Sequence, residues 1–299
     1  MVMWVRVLGS AAGGGFPQWN CSCPQCRAAR TGSRPCLPRT QSSIAVSADQ
    51  QQWFLINASP DTQSHIESFP GVHPGDGSVV RPRAVLLTDA ELDHTVGLLL
   101  LREGRGLEVH ATASMYQTLT TGTGLLRTLE SYCPVQWVPV VPGSEVMLAQ
   151  GLSYSAFDVP TSKQMRFAGA AAEGRVVGYR FTDTTTGKSL IYLPCVQELT
   201  PDILGELSGS TALLVDGTFW RDDEMPDLGL STRTSRDMGH VPIHGPRGSL
   251  GLLAPLAVDR KIYIHINNTN PILLHDSTER RCLDRHGMEV AVDGLELEI

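Results

Sequence analysis

The chain has 299 residues, of which 41% are hydrophobic, and its formal net charge is −7. This composition predicts a globular protein with a sizeable core rather than a disordered chain. No basic cluster stands out, so nucleic acid is not an expected partner. The apolar runs are far shorter than the roughly 20 residues that span a bilayer. The apolar N-terminus is short and Arg6 interrupts it, which is atypical of a signal peptide. We therefore expect a soluble, cytoplasmic protein.

The predicted elements begin with a strand, followed by a region rich in Gly, Pro, Cys and Arg over residues 9–43, which we expect to be a long irregular loop. Strand-like runs follow at "SSIAVSAD", "QQWFLINAS", "PRAVLLT" and "GLEVHAT". Helix-like segments lie between or after them at "DTQSHIESF", "HTVGLLLLRE" and "ASMYQTLTTG".

Several strand-like pieces lie between about 134 and 193, and strands then alternate with helices. These later elements are a helix near 198–207, "TALLVDG", a helix at 247–257 and "KIYIHI". A final helix is predicted in "DSTERRCLDRHG", with Asp276 or Ser277 as its N-cap and Gly287 at its end. Two short strands close the chain. This order predicts a single α/β domain over residues 1–299, with mixed sheets inside and helices outside.

Three of the seven cysteines form a C-x-C-x-x-C pattern at Cys21, Cys23 and Cys26. Thiolates bind zinc tetrahedrally, and such short spacings let one loop wrap the ion. The pattern predicts a structural zinc that ties down a loop near residues 13–40, with a distant histidine such as His265 as fourth ligand. The alternative is three unrelated thiols. A disulfide scaffold is not expected, because the number of cysteines is odd.

A second cluster directly follows the strand "PRAVLLT" and contains Asp89, Glu91, Asp93 and His94. On an extended segment the three carboxylates would face one way, and their mutual repulsion would raise their pKa values unless a cation or a base neutralised them. A divalent ion is the simplest solution. The alternative is a solvated turn that caps the following helix, since Asp and Glu favour helix N-termini.

Further chemically active residues end other predicted strands. Asp61, Asp216 and His265 each follow a strand-like run, and His240 lies in a Gly-rich loop that could reach the same site. Catalytic groups in α/β folds cluster at strand ends. A histidine after a strand can also be an ordinary packed residue, and this alternative stays open. We predict a metal-centred site that includes His265 and Asp216 together with Asp93 and His94.

The sequence resembles the metallo-β-lactamase fold superfamily, whose motif T-H-x-H-x-D-H-x-x-G follows a strand. Four positions match this motif, namely Thr88, Asp93, His94 and Gly97. Asp89 and Glu91 stand where the first two histidines belong. Within the superfamily, "LGSAAGGGFPQWNCSCPQC", "DAELDHTVGLLLLREG", "MGHVPIHGPRGS" and "IHINNTNPIL" resemble the pyrroloquinoline quinone (PQQ) biosynthesis protein B family, over residues 8 to 274. The resemblance implies an αββα sandwich, a role in making PQQ and a zinc in the cysteine loop.

The resemblance also implies two kinds of activity. One is an iron- and oxygen-dependent hydroxylation of the tyrosine ring in a Glu-Tyr precursor, and the other is non-catalytic binding or transport of PQQ or its precursor towards the periplasm. Carboxylate-rich sites with one or two imidazoles suit Fe(II) better than zinc. We therefore expect His94, His265 and a carboxylate, first Asp93 and then Asp89 or Glu91, to bind Fe(II).

The remaining carboxylates are expected to accept protons or orient the substrate amine, and His240 to deprotonate or polarise the phenol. Arg233 and Arg236 are predicted to bind an anionic substrate, and Arg247 is available to a carrier as well. A metal-dependent hydrolase, the third alternative, is disfavoured because Cys195 stands about where hydrolases of this fold carry a bridging aspartate. The expected partner is a small peptide-derived substrate or PQQ, and the sequence leaves a homodimer open.

Overall fold

The computed structural model describes residues 2–68, 82–103, 106–164, 166–167 and 173–299. Its first sheet contains β1 (Trp4–Gly9), β2 (Ser43–Ser47), β3 (Phe54–Ile56), β4 (Ala84–Leu86), β5 (Leu107–Ala111), β6 (Val135–Pro139) and β14 (Glu296–Glu298). Its second sheet contains β7 (Glu145–Ala149), β8 (Leu152–Asp158), β9 (Val177–Asp183), β10 (Ser189–Leu193), β11 (Ala212–Asp216), β12 (Arg260–Ile264) and β13 (Met288–Val290).

The α-helices within the described residues are α1 (Pro24–Thr31), α2 (Thr62–Ser68), α3 (Leu92–Thr95), α4 (Ala113–Gln117), α5 (Leu125–Glu130), α6 (Pro201–Leu207), α7 (Glu224–Asp227), α8 (Ser249–Leu253) and α9 (Thr278–Arg285). Short 3-10 turns cover Val96–Leu101, Arg236–Met238 and Pro271–Leu273, and a π-helical turn covers Thr118–Gly122. No helix among these described ranges is long and apolar enough to span a bilayer.

Both sheets are mixed. The first has the order β14-β1-β2-β3-β4-β5-β6 and the second β13-β12-β11-β10-β9-β8-β7. Strands β3, β4, β5 and β6 are parallel to one another, and so are β10, β11, β12 and β13. The remaining pairs, which include β2 with β3 and β9 with β10, are antiparallel. The parallel halves bring several strand C-termini to one edge of each sheet, where loop residues can meet.

The main core lies between the two sheets, because alternate residues of each strand face opposite ways. In β10 and β11, Tyr192 and Leu214 join the cluster shared with the first sheet. Their neighbours Leu193 and Val215 face the other side, where they share a second cluster with residues of α6, α8 and α9. Helices α4 and α5 contact β5 and β6 of the first sheet. The layers are therefore helix, sheet, sheet, helix, as the sequence predicted.

Several details differ from the predicted elements. The region 9–43 is not wholly irregular, because α1 forms within it, with Cys23 as its N-cap and Pro24 at its first position. Strand β7 was not predicted; its residues alternate between exposed and half-buried, so it carries little apolar signal. The last helix begins as predicted, since the Ser277 hydroxyl accepts a hydrogen bond from the Arg280 amide at 3.0 Å, and Gly287 follows it with a φ of 65°.

Candidate metal centre

The candidate residues gather where strands of both sheets end. Parallel pairing aligns Leu193 of β10 with Val215 of β11, and Asp216 with Ile264 of β12. The residues that follow these strands therefore emerge at one edge of the second sheet. Cys195, Thr218 and His265 are among them, while the turn after β4 brings His94 from the first sheet to the same place. His265 has a φ of 59°, a backbone conformation that residues other than glycine adopt rarely and mostly at functional sites.

The chain is extended at Asp89 and Glu91 and becomes helical only at Leu92, so the prediction that three carboxylates face one way is wrong. Glu91 is the N-cap position of α3, which contains Asp93 and His94. Three residues after His94, a Cβ on Gly97 would lie 2.1 Å from the carbonyl oxygen of Ser59. The glycine of the motif is therefore required because two chain segments touch there.

Each carboxylate of this turn has a different partner. Asp89 is buried and accepts a hydrogen bond from Nδ1 of His94 at 2.7 Å. Asp93 Oδ2 lies 3.4 Å from Nε2 of His265. Glu91 instead pairs with Nζ of Lys163 at 2.8 Å, and also with the Arg166 guanidinium. Glu91 therefore belongs to a neighbouring salt bridge, whereas Asp89 and Asp93 both face the histidines.

Two imidazoles each have Nδ1 within hydrogen-bond distance of a neighbouring side chain. His94 donates through Nδ1 to Asp89, and its Nε2 atom is buried without a hydrogen-bond partner in the described part of the chain. His265 has Nδ1 2.9 Å from the Thr218 hydroxyl, which itself donates to Asp216 at 2.7 Å. Nε2 of His265 faces the Asp93 carboxylate at 3.4 Å and Sγ of Cys195 at 4.0 Å. Metal-bound histidines characteristically hold their other ring nitrogen in this way.

The ligand atoms of His94, His265 and Cys195 all lie within 4.8 Å of one another. Nε2 of His265 is 4.0 Å from Sγ of Cys195, and the His94 and His265 ring centroids are 5.1 Å apart. With Asp93 beside His265, two imidazoles and a carboxylate converge, as predicted, and a thiol stands next to them. The donor set and the unpartnered nitrogen fit a divalent transition metal.

The electrostatics of this group also favour a cation. Burial would lower the pKa of His94, but the carboxylates of Asp89 and Asp93 outweigh it and raise that pKa to about 9. Burial would likewise raise the pKa of Asp93, yet His94 and His265 hold it well below its usual range. Burial lowers the pKa of His265 despite the nearby Asp93. Two ionised carboxylates therefore surround imidazoles in a buried site, which attracts positive charge.

Asp216 is bonded to Thr218 and His240, and its predicted role as a metal ligand stays a prediction. Its carboxylate accepts four hydrogen bonds, which uses all four of its acceptor directions. Oδ1 accepts from the amide and the hydroxyl of Thr218 at 3.0 and 2.7 Å. Oδ2 accepts from the Val196 amide at 2.9 Å and from Nδ1 of His240 at 2.7 Å. Although Asp216, His240 and His265 are close enough to hold an ion together, this geometry favours an orienting role for Asp216. It leaves Nε2 of His240 as the atom available for chemistry.

A cavity of about 130 Å³ opens beside the centre. His240 and Cys195 line it, and its basic residues among those described are Lys163, Arg166 and Arg175. The structure does not bring the predicted Arg233 and Arg236 to its wall. Arg233 is exposed, and Arg236 lies near the Asp222 carboxylate at 3.6 Å and donates to the Arg247 carbonyl at 3.0 Å.

The cysteine cluster forms a separate site. The Sγ atoms of Cys21, Cys23 and Cys26 lie within 4.8 Å of one another. Burial would raise the pKa of the Cys21 thiol, but hydrogen bonds from Cys23 and its neighbours lower it overall. Asn268 donates through Nδ2 to Sγ of Cys26 at 3.4 Å. Such an arrangement is typical of a thiolate metal site.

Of the two positions predicted for His265, the structure places it in the strand-end centre, with Nε2 4.0 Å from Sγ of Cys195, while the three cysteines form a separate group. The two sites are nevertheless joined by one segment, because Asn268 lies three residues after His265. The cysteine loop also meets the other centre directly: a Cβ on Gly13 would lie 3.0 Å from Oδ2 of Asp93. In addition, Ala12 donates its amide to the Ile266 carbonyl at 2.9 Å.

Residues 52–266 match the model of the Beta-lactamase superfamily domain. The chain is 45% identical to the coenzyme PQQ synthesis protein B of Methylococcus capsulatus, with 99% of each chain covered. It is 44% identical to the protein of the same name from Azoarcus sp., covering 99% of this chain and 100% of the relative. The chain belongs to the coenzyme PQQ synthesis protein B (PqqB) family.

Solved structures agree with this assignment. Zn²⁺-bound PqqB from Methylobacterium extorquens superposes with a TM-score of 0.89 at 38% identity, with 99% of this chain and 100% of that chain covered. A diphosphatase of the PhnP family superposes with a TM-score of 0.70 at 20% identity, over 100% of this chain and 98% of that one, which shows a common fold alone. The PqqB-family chain is thus a metallo-β-lactamase fold, as the sequence predicted.

Sequence reasoning missed Thr218 and Lys163 as contributors to the site of this PqqB-family protein, and it noted Cys195 only as standing about where hydrolases of the fold carry a bridging aspartate. Cys195 follows β10 by two residues and Thr218 follows β11 by two, so the strand-end pattern that found His265 could also have found them. Lys163 carries no such signal, because it lies in an irregular segment with no periodic pattern. Its position on the cavity wall depends on tertiary packing.

Proposed function

We propose that this PqqB-family protein acts in PQQ synthesis by using Fe(II) and dioxygen to hydroxylate the tyrosine ring of a small Glu-Tyr precursor. His94, His265 and Asp93 would hold the iron. The observation that carries this proposal is the buried Nε2 of His94, which has no hydrogen-bond partner in the described ranges, on a ring whose centroid lies 5.1 Å from that of His265. An unpaired buried polar atom costs about 1–3 kcal/mol, which an ion would remove.

The donor set supports iron over zinc as the reactive ion. Two histidines and one carboxylate with open positions form the ligand pattern of non-haem iron oxygenases. The chemistry that bound Fe(II) would supply is the activation of dioxygen, whereas zinc has no redox chemistry. The overall reaction places one oxygen atom on the ring carbon next to the phenol hydroxyl. The second oxygen atom leaves as water, with two electrons taken from an external reductant.

His240 is suited to act on the phenol. Asp216 accepts from its Nδ1 atom, so the proton-accepting nitrogen is Nε2, and the ring lines the cavity. Removing the phenol proton increases electron density on the ring carbon that reacts. The pairing of a carboxylate with one ring nitrogen fixes the tautomer and orientation that a general base requires.

The cavity wall supports a zwitterionic substrate. Lys163, Arg166 and Arg175 offer positive charge to the carboxylates of a Glu-Tyr unit, while the Glu91 carboxylate lies between two of them and offers a partner to its amine. Arg233 and Arg236 are not part of this wall. Substrate recognition is therefore proposed to rest on the part of the wall formed by Lys163, Arg166 and Arg175.

A structural zinc is proposed for the cysteine loop. The three convergent thiols support it, as does the description of the M. extorquens relative as Zn²⁺-bound. This ion would hold the loop and α1 against the segment that contains Asn268. It would take no part in oxygen chemistry, because a closed thiolate zinc site is structural.

The test is reconstitution without oxygen. Protein purified anaerobically would be loaded with Fe(II), mixed with a Glu-Tyr dipeptide and a reductant, and exposed to O2 in an oxygen electrode, with products analysed by mass spectrometry. We expect peptide-dependent O2 uptake and addition of one oxygen atom. Zinc-loaded protein and Fe(II)-treated His94→Ala protein should show neither. Equal O2 uptake with and without peptide would refute the hydroxylase.

A non-catalytic carrier of PQQ is the second candidate, favoured by the three basic residues on the cavity wall. PQQ is a tricarboxylate and would pair with them. Micromolar PQQ binding with no turnover of Glu-Tyr would favour the carrier. A metal-dependent hydrolase has less support, since Asp89 is already bonded to His94 and Glu91 to Lys163.

A further inference from the structure

Cys195 is a partly buried thiol that follows β10 and stands on the inner wall of the cavity. Its Sγ atom lies 4.0 Å from Nε2 of His265. The hydroxylase mechanism gives it no role. Its surroundings are not those of a packed core cysteine, because it faces two imidazole nitrogens rather than apolar side chains.

The distances around Cys195 match those between ligands of one ion. Metal bonds to imidazole nitrogen and to thiolate sulfur are about 2.1 and 2.3 Å long, so two such ligands can stand at most about 4.4 Å apart. The separation of 4.0 Å between Sγ and His265 satisfies this limit, and His94 completes a group within 4.8 Å. The unpartnered Nε2 of His94 is an independent sign that an ion is expected here.

We propose that Cys195 is a fourth ligand of the ion held by His94, His265 and Asp93. This inference rests on the proposed metal centre and adds a residue to it. On coordination the thiol releases its proton to solvent and binds as a thiolate. Among the four ligands, the thiolate and the Asp93 carboxylate would together balance the two positive charges of the ion.

A sulfur ligand has consequences for metal choice. Thiolates favour softer ions, whereas Mg²⁺ and Mn²⁺ prefer oxygen ligands. The centre should therefore discriminate against Mn²⁺ more strongly than two histidines and a carboxylate alone would. Four protein ligands still leave two positions of an octahedron for other groups.

The experiment uses Co(II) as a probe in full-length protein whose zinc content is measured and retained. We expect one further equivalent of Co(II) to bind and to give a near-ultraviolet sulfur-to-cobalt charge-transfer band. Cys195→Ser should still bind Co(II) but lose this band. Cys282→Ser, which alters another partly buried cysteine on α9, should keep it.

X-ray absorption at the cobalt edge gives a second measurement that needs no variant. Because it is specific for cobalt, the zinc loop does not contribute, and we expect one sulfur neighbour at about 2.3 Å. A shell of nitrogen and oxygen alone, or an unchanged band in Cys195→Ser, would overturn the Cys195 assignment while leaving the centre intact. If the His94→Ala protein bound as much Co(II) as the unaltered protein, or if the unaltered protein bound none, the proposed metal centre would be refuted. The Cys195 assignment would then be refuted with it.

Discussion

His94 donates from Nδ1 to Asp89 over 2.7 Å, and the two residues lie in the same turn after β4. The imidazole is thus oriented by a partner five positions earlier in the chain. Asp89 is itself held by hydrogen bonds from the Thr88 hydroxyl and the Glu91 amide. One half of the candidate centre is therefore organised locally, before His265 and Cys195 are brought to it by the packing of the sheets.

Asp89→Asn should weaken metal binding at the His94 centre. The amide can still accept from Nδ1 but lacks the negative charge that makes the imidazole a stronger ligand. Loss of such a supporting partner typically reduces metal affinity about 10- to 100-fold. Competition with a chromophoric chelator measures the change. Glu91→Gln is the matched control, because Glu91 pairs with Lys163 rather than with His94. The metal affinity of the Glu91→Gln protein should stay within about twofold of that of the original protein. Equal effects of the two variants would contradict this division of roles.

Lys163→Ala should raise KM for the Glu-Tyr dipeptide about tenfold with little change in kcat, because an interaction equal in the ground and transition states is lost. Lys163 lines the cavity and its side chain is 21% exposed. Arg233→Ala is the control, since that residue lies on the exposed surface away from the wall. Steady-state kinetics distinguish the two. A larger KM effect for Arg233 would restore the prediction made from sequence.

Cys26→Ser should abolish zinc binding and destabilise the cysteine loop. Structural zinc contributes folding free energy directly, and a loss on the order of several kcal/mol corresponds to a fall in Tm of roughly 5–10 °C. Calorimetry and zinc analysis of the purified protein measure both quantities. Cys36→Ser changes a nearby cysteine outside the cluster and should retain the zinc. A zinc-bound Cys26→Ser protein with unchanged Tm would exclude the structural role.

Ionisation of the Glu224 carboxyl should lower the free energy of unfolding as pH rises. Burial raises its pKa from 4.5 to about 7, against hydrogen bonds from Thr269 and the Trp220 amide that lower it. The folded state therefore holds the proton more tightly than the unfolded state, so the stabilisation is complete below pH 4.5 and disappears by about pH 7. The full change is about 3 kcal/mol.

Glu224→Gln should remove this pH dependence, because an amide does not ionise. The measurement is urea unfolding at pH 5 and pH 8 for both proteins. We expect the free energy of unfolding to differ between the two pH values by about 3 kcal/mol more in the original protein than in the variant. An identical difference in both would show that Glu224 titrates normally.

The sequence predicted the position of a site residue best where that residue follows a predicted strand. His94 and His265 could be placed together because each follows a buried run, and parallel strands end at a common edge. Asp93 follows the same logic. The resemblance added the layer order, which periodicity alone could not distinguish from other α/β arrangements.

The remaining features depend on geometry that no local pattern encodes. Glu91 points to Lys163 because the chain turns into α3 one residue later, and a single helical turn redirects alternate side chains. The eight residues of α1 carry little apolar signal amid Gly, Pro and Arg. Whether Arg233 or Lys163 lines the cavity depends on tertiary packing, which no local sequence pattern encodes.

The segment from His265 to Asn268 serves both metal sites, since one end faces the reactive centre and the other donates to Sγ of Cys26. Filling either site restricts the same four residues. On the proposed function, zinc in the cysteine loop and iron at the strand-end centre would therefore be thermodynamically linked. The linkage would be reciprocal, so each ion would change the affinity for the other by the same factor.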